Sequence, residues 1–158
     1  MSKKERAFRG GLRSVARFYA VQMVYRASIT ESELKKIIDE DCSKIFITEN
    51  VSISEMDVEF FRQLIEITEE NLSVLDKIIA ENLSNKWRMD RLDNVIKSIL
   101  RLGTAELLFF KNIPANVVFN EYIEISKSFF EKNEVAFING LLNSIANTDS
   151  DKKVSSEL

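Results

Sequence analysis

Residues 12–27 read LRSVARFYAVQMVYRA, and the fold turns on how this stretch is parsed. Leu12, Val15, Ala16, Tyr19, Ala20, Met23 and Ala27 recur at three- and four-residue steps, so they share one face of a helix. Ser14, Phe18, Val21 and Tyr25 fall roughly opposite, towards solvent, and Arg13 and Arg17 lie between the two faces one turn apart. A helix that is apolar nearly all round is either central in a bundle or keeps a surface for a partner. Guanidinium groups beside exposed rings make single-stranded nucleic acid the first candidate for that partner. An exposed Phe18–Val21–Tyr25 strip serving as a homodimer seam is the alternative.

The totals agree with a helical bundle. The chain has 158 residues, long enough for one domain with a proper core, and is 45% hydrophobic and 30% charged. Four glycines and one proline leave too little turn chemistry for a β-sandwich, so the fold class is all-α, with six or seven helices. A single cysteine, Cys42, excludes an internal disulfide and reads as a small buried hydrophobe. There is no apolar signal segment and no apolar run of the roughly 20 residues that span a bilayer, so a cytoplasmic protein is expected. Charge is unevenly spread: Lys3, Lys4, Arg6, Arg9, Arg13 and Arg17 stand against Glu5 alone near the amino end of a chain whose net charge is −3. That is either a solvated basic terminus or a polyanion site feeding the first helix.

Outward from the first helix, residues 1–11 form a loose basic arm ending at Gly10-Gly11. Were the helix to extend back on binding, Arg6, Arg9, Arg13 and Arg17 would make one stripe. A break is expected near Ser28–Ile29. A capping box, Thr30 to Glu33, then opens a helix carrying Leu34, Ile37 and Ile38. From Met56 to Leu83 a heptad-like stripe of Val58, Phe61, Ile65, Thr68, Leu72, Leu75 and Ile79 predicts one long helix, packed within its own chain or in a homodimeric coiled coil. Trp87 lies in a connection, and Asp90 is placed to cap a helix over about 91–110. Gly103 on its inner stripe suggests close approach by another helix, and Glu106 on the same stripe needs a partner, Arg101 or a helix amino end. Pro114 suits the first turn of a helix to Phe130, and a last helix follows with Ile138, Leu141, Leu142 and Ile145. Gly140 marks a second expected close contact, and the polar tail 148–158 is expected to be disordered.

Catalytic signatures are missing. The chain has no histidine, no Gly-rich phosphate loop, no paired-cysteine spacing and no serine elbow. No cofactor or metal is expected, and binding is favoured over catalysis.

Arg13–Arg17 followed by Ala20-Val21-Gln22 and Tyr25, then Trp87, DRLDNVIKSILRLGTAELL (90–108), IPANVVFNEYIEISKSF (113–129) and FINGLLNSIA (137–146) stand in a distinctive order and spacing. Together these segments resemble the NusB family of transcription antitermination factors. The resemblance implies a non-enzymatic all-α fold of two roughly perpendicular three-helix bundles, about 12–83 and 90–147. It implies that the chain binds single-stranded boxA-type RNA of nascent ribosomal RNA leaders together with NusE, a small-subunit ribosomal protein, within the RNA polymerase antitermination complex. Arg13, Arg17, Gln22 and Tyr25 on the first helix, and Phe137 near the last, match RNA-facing places, with Arg6 and Arg9 supplementing a thinned arginine cluster. Asp93, Ile96 and Lys97 fall on the helix that faces NusE, although Ile96 stands where an acid is common. A helical interaction module, or an accessory rRNA-binding domain acting in trans, are the other readings.

Overall fold

The computed structural model describes residues 11–30, 36, 56–84 and 86–157, the side chains to Thr148. Among these residues there are six α-helices, a short 3-10 turn and no strand: α1 (Leu12–Thr30), α2 (Val58–Glu70), α3 (Leu72–Asn82), the turn Met89–Arg91, α4 (Asn94–Phe109), α5 (Ala115–Lys127) and α6 (Lys132–Glu157). The all-α class read from composition is the observed one.

The hub is α4. Its buried residues, Ile96, Ser98, Ile99, Leu100 and Leu102 to Glu106, go right round the helix. It packs against each of the other five helices. A helix that is apolar all round belongs inside a bundle, and the 90–108 stretch meets that condition better than α1 does. Val21 is buried with Ala16, Tyr19, Ala20 and Met23, whereas Leu12, assigned to the core face, is exposed. One hydrophobic cluster runs from Ala16 of α1 to Ile145 of α6.

Two local rules explain the helix ends. Asp57 caps α2, its Oδ1 accepting from the Phe60 N–H at 3.0 Å, and its own N–H donates to the Leu12 carbonyl at 3.1 Å, which ties α2 to the start of α1. Asp93, not Asp90, caps α4: its Oδ1 accepts from Val95 N at 2.7 Å and Ile96 N at 3.3 Å. Asp90 lies in the 3-10 turn instead. Pro114 stands just ahead of α5, its carbonyl accepting from Val117 and Val118, and α5 ends at Lys127 rather than Phe130.

The stripe from Met56 to Leu83 spans two helices. At Asn71 the backbone leaves the helical region (φ −118°, ψ 17°). The Thr68 hydroxyl donates to Leu64 O and the Asn71 amide to Ile67 O, side-chain bonds that compete with the helical ladder. Periodicity survives because both halves turn the same face inward. Arg101 then clasps Asp76 in a two-pronged pair (2.7 and 2.9 Å), joining α3 to α4.

Gly103 makes the close contact expected of it. A Cβ there would sit 3.0 Å from Leu142 Cδ2 and 3.5 Å from Tyr122 Cδ2, so α5 and α6 both close on α4 at this point. Gly140 does not, since a Cβ would meet nothing within 4 Å. α1 runs on to Thr30, whose hydroxyl donates to Arg26 O inside the helix, so the expected break near Ser28 is absent. The final helix continues to Glu157 through the expected disordered tail. No glycine or proline interrupts 141–157, and Ser144 and Thr148 both reach Asn82 Oδ1 (2.7 and 3.4 Å). The capping box at Glu33, the Ile37–Ile38 helix, Cys42, Arg6 and Arg9 lie outside the described residues.

Candidate nucleic-acid interface

Helix α1 carries four of the RNA-facing candidates, and its packing sorts them. Arg13 is half exposed; its Nε lies 3.4 Å from Asp57 Oδ2, a loose pair at the surface. The oxygen it meets is the one that Asp57 does not use to cap α2. Such an exposed pair contributes little to stability, so this guanidinium is available to a phosphate. Gln22 is half-buried, and Tyr25 is exposed on the outer side of the same helix.

Arg17 is different. Its side chain is 3% exposed, and it lies against Glu106, which is 0% exposed. The Arg17 Nε donates to Glu106 Oε2 at 2.8 Å and Oε1 at 3.0 Å. Its Nη1 lies 3.6 Å from Glu121 Oε1, and Glu121 also accepts from the Ser14 hydroxyl at 2.8 Å. The Tyr122 hydroxyl donates a short hydrogen bond to Glu106 Oε2. Arg13 and Arg17 both place their guanidinium carbons over the Phe60 ring, at 4.8 and 4.9 Å from its centre. Arg17 is therefore corrected from a phosphate contact to an interior tie joining α1 to α4 and α5. It is also the partner that Glu106 requires; Arg101 is engaged with Asp76.

The electrostatics follow from burial. Desolvation works against the charged form of Arg17, but the hydrogen bond and charge of Glu106 outweigh it and raise the pKa above its ordinary value. Tyr122 is fully enclosed; burial first, then the Glu106 charge and hydrogen bond, hold its hydroxyl protonated well above the usual tyrosine range. These groups serve cohesion, since neither solvent nor a polyanion reaches them.

The remaining candidates are scattered. Phe137, on α6, is half-buried against Trp87, ring centres 5.3 Å apart. Of the three residues expected to face a protein partner, Asp93 is exposed but spent on the α4 cap, Lys97 is half-buried, and Ile96 is a core residue. Ile96 is thus corrected from a surface contact to a packing one. The expected apolar seam along α1 is broken too: Val21 is buried and Phe18 is half-buried, stacked on Phe129 at 5.8 Å and 19°. Sequence reasoning gave Trp87 no role, because a lone tryptophan in a connection has no periodicity to place it. No group of ligands able to hold a metal occurs among the described residues.

With its ionised centre sealed and Arg13 and Tyr25 open along α1, the molecule is of the class of small all-α domains. The NusB family model matches residues 14–147, and the chain belongs to the NusB family. It is similar to the transcription antitermination protein NusB of Caulobacter vibrioides, 38% identical over 136 residues, 85% of this chain and 91% of that one. The corresponding protein of Thermodesulfovibrio yellowstonii is 36% identical over 139 residues, with coverage of 85% and 91%. Among solved structures, Thermotoga maritima NusB superimposes with a TM-score of 0.67 at 32% identity, over 93% of this chain and 92% of that one. A NusB solved with NusE and double-stranded RNA shares the fold, with a TM-score of 0.72 at 24% identity over 94% and 99% of the two chains. The family is one of non-enzymatic antitermination factors. Among the described residues no helix is long and apolar enough to cross a membrane.

Proposed function

We propose that this protein is a cytoplasmic transcription antitermination factor that holds boxA-type RNA of nascent rRNA leader transcripts jointly with NusE, as part of the RNA polymerase antitermination complex. The observation that carries the reading is the family match over 14–147, beside a first helix on which Arg13 and Tyr25 are exposed and Gln22 is half-buried. In this reading Arg13 exchanges Asp57 for a phosphate, Tyr25 offers a ring face to an unstacked base, and Gln22 reaches a base edge. Arg6 and Arg9 add phosphate contacts from the arm. Asp93 and Lys97 remain candidates for the NusE-facing side of α4.

The test is a titration of boxA and scrambled RNA into the protein, with and without NusE, at two salt concentrations. The expected result is a preference for boxA that NusE strengthens. Arg13→Gln should weaken both RNAs and lower the salt slope by about 0.7, the value for one phosphate contact on a single strand. Equal affinity for boxA and scrambled RNA, unaffected by NusE, would overturn the proposal.

A further inference from the structure

The connection between α3 and α4 carries the sequence Lys86-Trp87-Arg88-Met89-Asp90-Arg91, and it holds the only tryptophan of the chain. An indole is large and apolar and is usually mostly buried, yet Trp87 is 52% exposed. It is nonetheless held in place. One side meets Phe137 at 5.3 Å between ring centres and a tilt of 44°, and Phe137 itself packs against the core. The backbone is pinned by Trp87 N–H to Ser84 O and by Arg91 N–H to Arg88 O, both at 3.0 Å. The ring is thus backed by Phe137 and, through it, by the hydrophobic interior.

What surrounds this ring indicates its occupant. Lys86, Arg88 and Arg91 are all exposed, three cations against the single acid Asp90 in a chain whose overall charge is negative. Arg88 contacts Asp90 at 3.3 Å, with 72% and 67% of the two side chains open to solvent. A pair so exposed exchanges readily for a phosphate. A protein partner would favour an apolar surround depleted in lysine. An aromatic face backed on one side and flanked along the chain by exposed cations is the arrangement that takes an unpaired base and its flanking phosphates.

We propose that Trp87, backed by Phe137 and flanked by Lys86, Arg88 and Arg91, is a stacking site for an unpaired base of single-stranded RNA, separate from the arginine face of α1. The proposal rests on the RNA-binding reading above. It assigns Trp87 and the three cations, and gives Phe137 the task of supporting the indole.

Because the chain has one tryptophan, its emission reports this site alone. Unlabelled boxA RNA is titrated while tryptophan fluorescence is followed, and binding is measured independently by anisotropy of the end-labelled RNA. Stacking should quench the emission with the same midpoint as the anisotropy curve. Trp87→Ala should weaken affinity by roughly fivefold or more, the equivalent of one lost base–aromatic contact, and Trp87→Phe should recover part of it. Thermal melting of both variants checks that the fold is kept. Unchanged emission and affinity on RNA binding would overturn this site and leave the proposed function standing. Emission that responds to NusE but not to RNA would make the patch a protein interface and likewise overturn it. Absence of any RNA binding by the wild-type protein would overturn both.

Discussion

Replacing Arg17 with methionine separates an interior tie from an RNA contact. The substitution keeps the apolar stem and deletes the guanidinium that meets both oxygens of Glu106 at 2.8 and 3.0 Å. Glu106 is fully enclosed, so its carboxylate would keep only the Tyr122 hydroxyl as donor. Breaking a buried pair by removing one partner costs about 3–5 kcal/mol. Total stability for a domain of this size is roughly 5–15 kcal/mol, so the variant should be folded but fragile. At about 2–4 °C per kcal/mol, the melting temperature should fall by on the order of 10 °C. The second arm is the double variant Arg17→Met/Glu106→Leu, which removes both charges. It should recover more than half of the loss, because replacing a whole buried pair by apolar groups is often close to neutral. Urea unfolding of the wild type, the two single variants and the double variant gives the coupling directly. Two results would refute the reasoning: a loss below about 1 kcal/mol in the single variant, or a large drop in RNA affinity with unchanged melting.

Three further outcomes are expected. Gly103→Ala should destabilise by about 1 kcal/mol, because the Leu142 methyl at 3.0 Å must yield inside a full core and overpacking offsets the gain in helix propensity; Gly140→Ala, with open space around it, should stabilise by up to about 1 kcal/mol, and paired urea midpoints check both. Tyr122 ionises at higher pH in the folded chain than in the unfolded one, so it favours folding fully below about pH 10 and that contribution is lost as pH rises further. Tyr122→Phe should therefore flatten the alkaline limb of the stability–pH curve. Asp93→Ala should cost about 1 kcal/mol in urea unfolding through loss of the α4 cap.

The inward stripes were legible because periodicity reports burial directly: Phe61, Ile65, Leu75, Ile79, Ile99, Tyr122 and Leu142 all lie in the interior. Periodicity is blind to whether the backbone between two inward turns stays helical, which is why Asn71 split a stripe that read as continuous. The same limit applied to α1. Arg17 lies between two apolar faces, and nothing local distinguishes a solvated arginine there from an enclosed one; its fate is set by Glu106, 89 residues away. Half of that signal was visible, since an acid on the inner stripe of α4 demanded a cation. The other half was an arginine adjoining the core face of α1, and only the packing joins the two. Capping was harder still, because Asp90 and Asp93 are chemically alike and the 3-10 turn that takes up Asp90 leaves Asp93 to open the helix.

The clasp at Arg17 also works as an angular index. A helix seated by hydrophobic contacts alone can roll by part of a residue with little penalty, since methyl groups are interchangeable. A guanidinium held by two carboxylates is not interchangeable with its neighbours, so α1 has one azimuth in the bundle. Arg13, Gln22 and Tyr25 inherit their bearing from that setting, and a relative that kept all three but lost the clasp would aim them in a different direction.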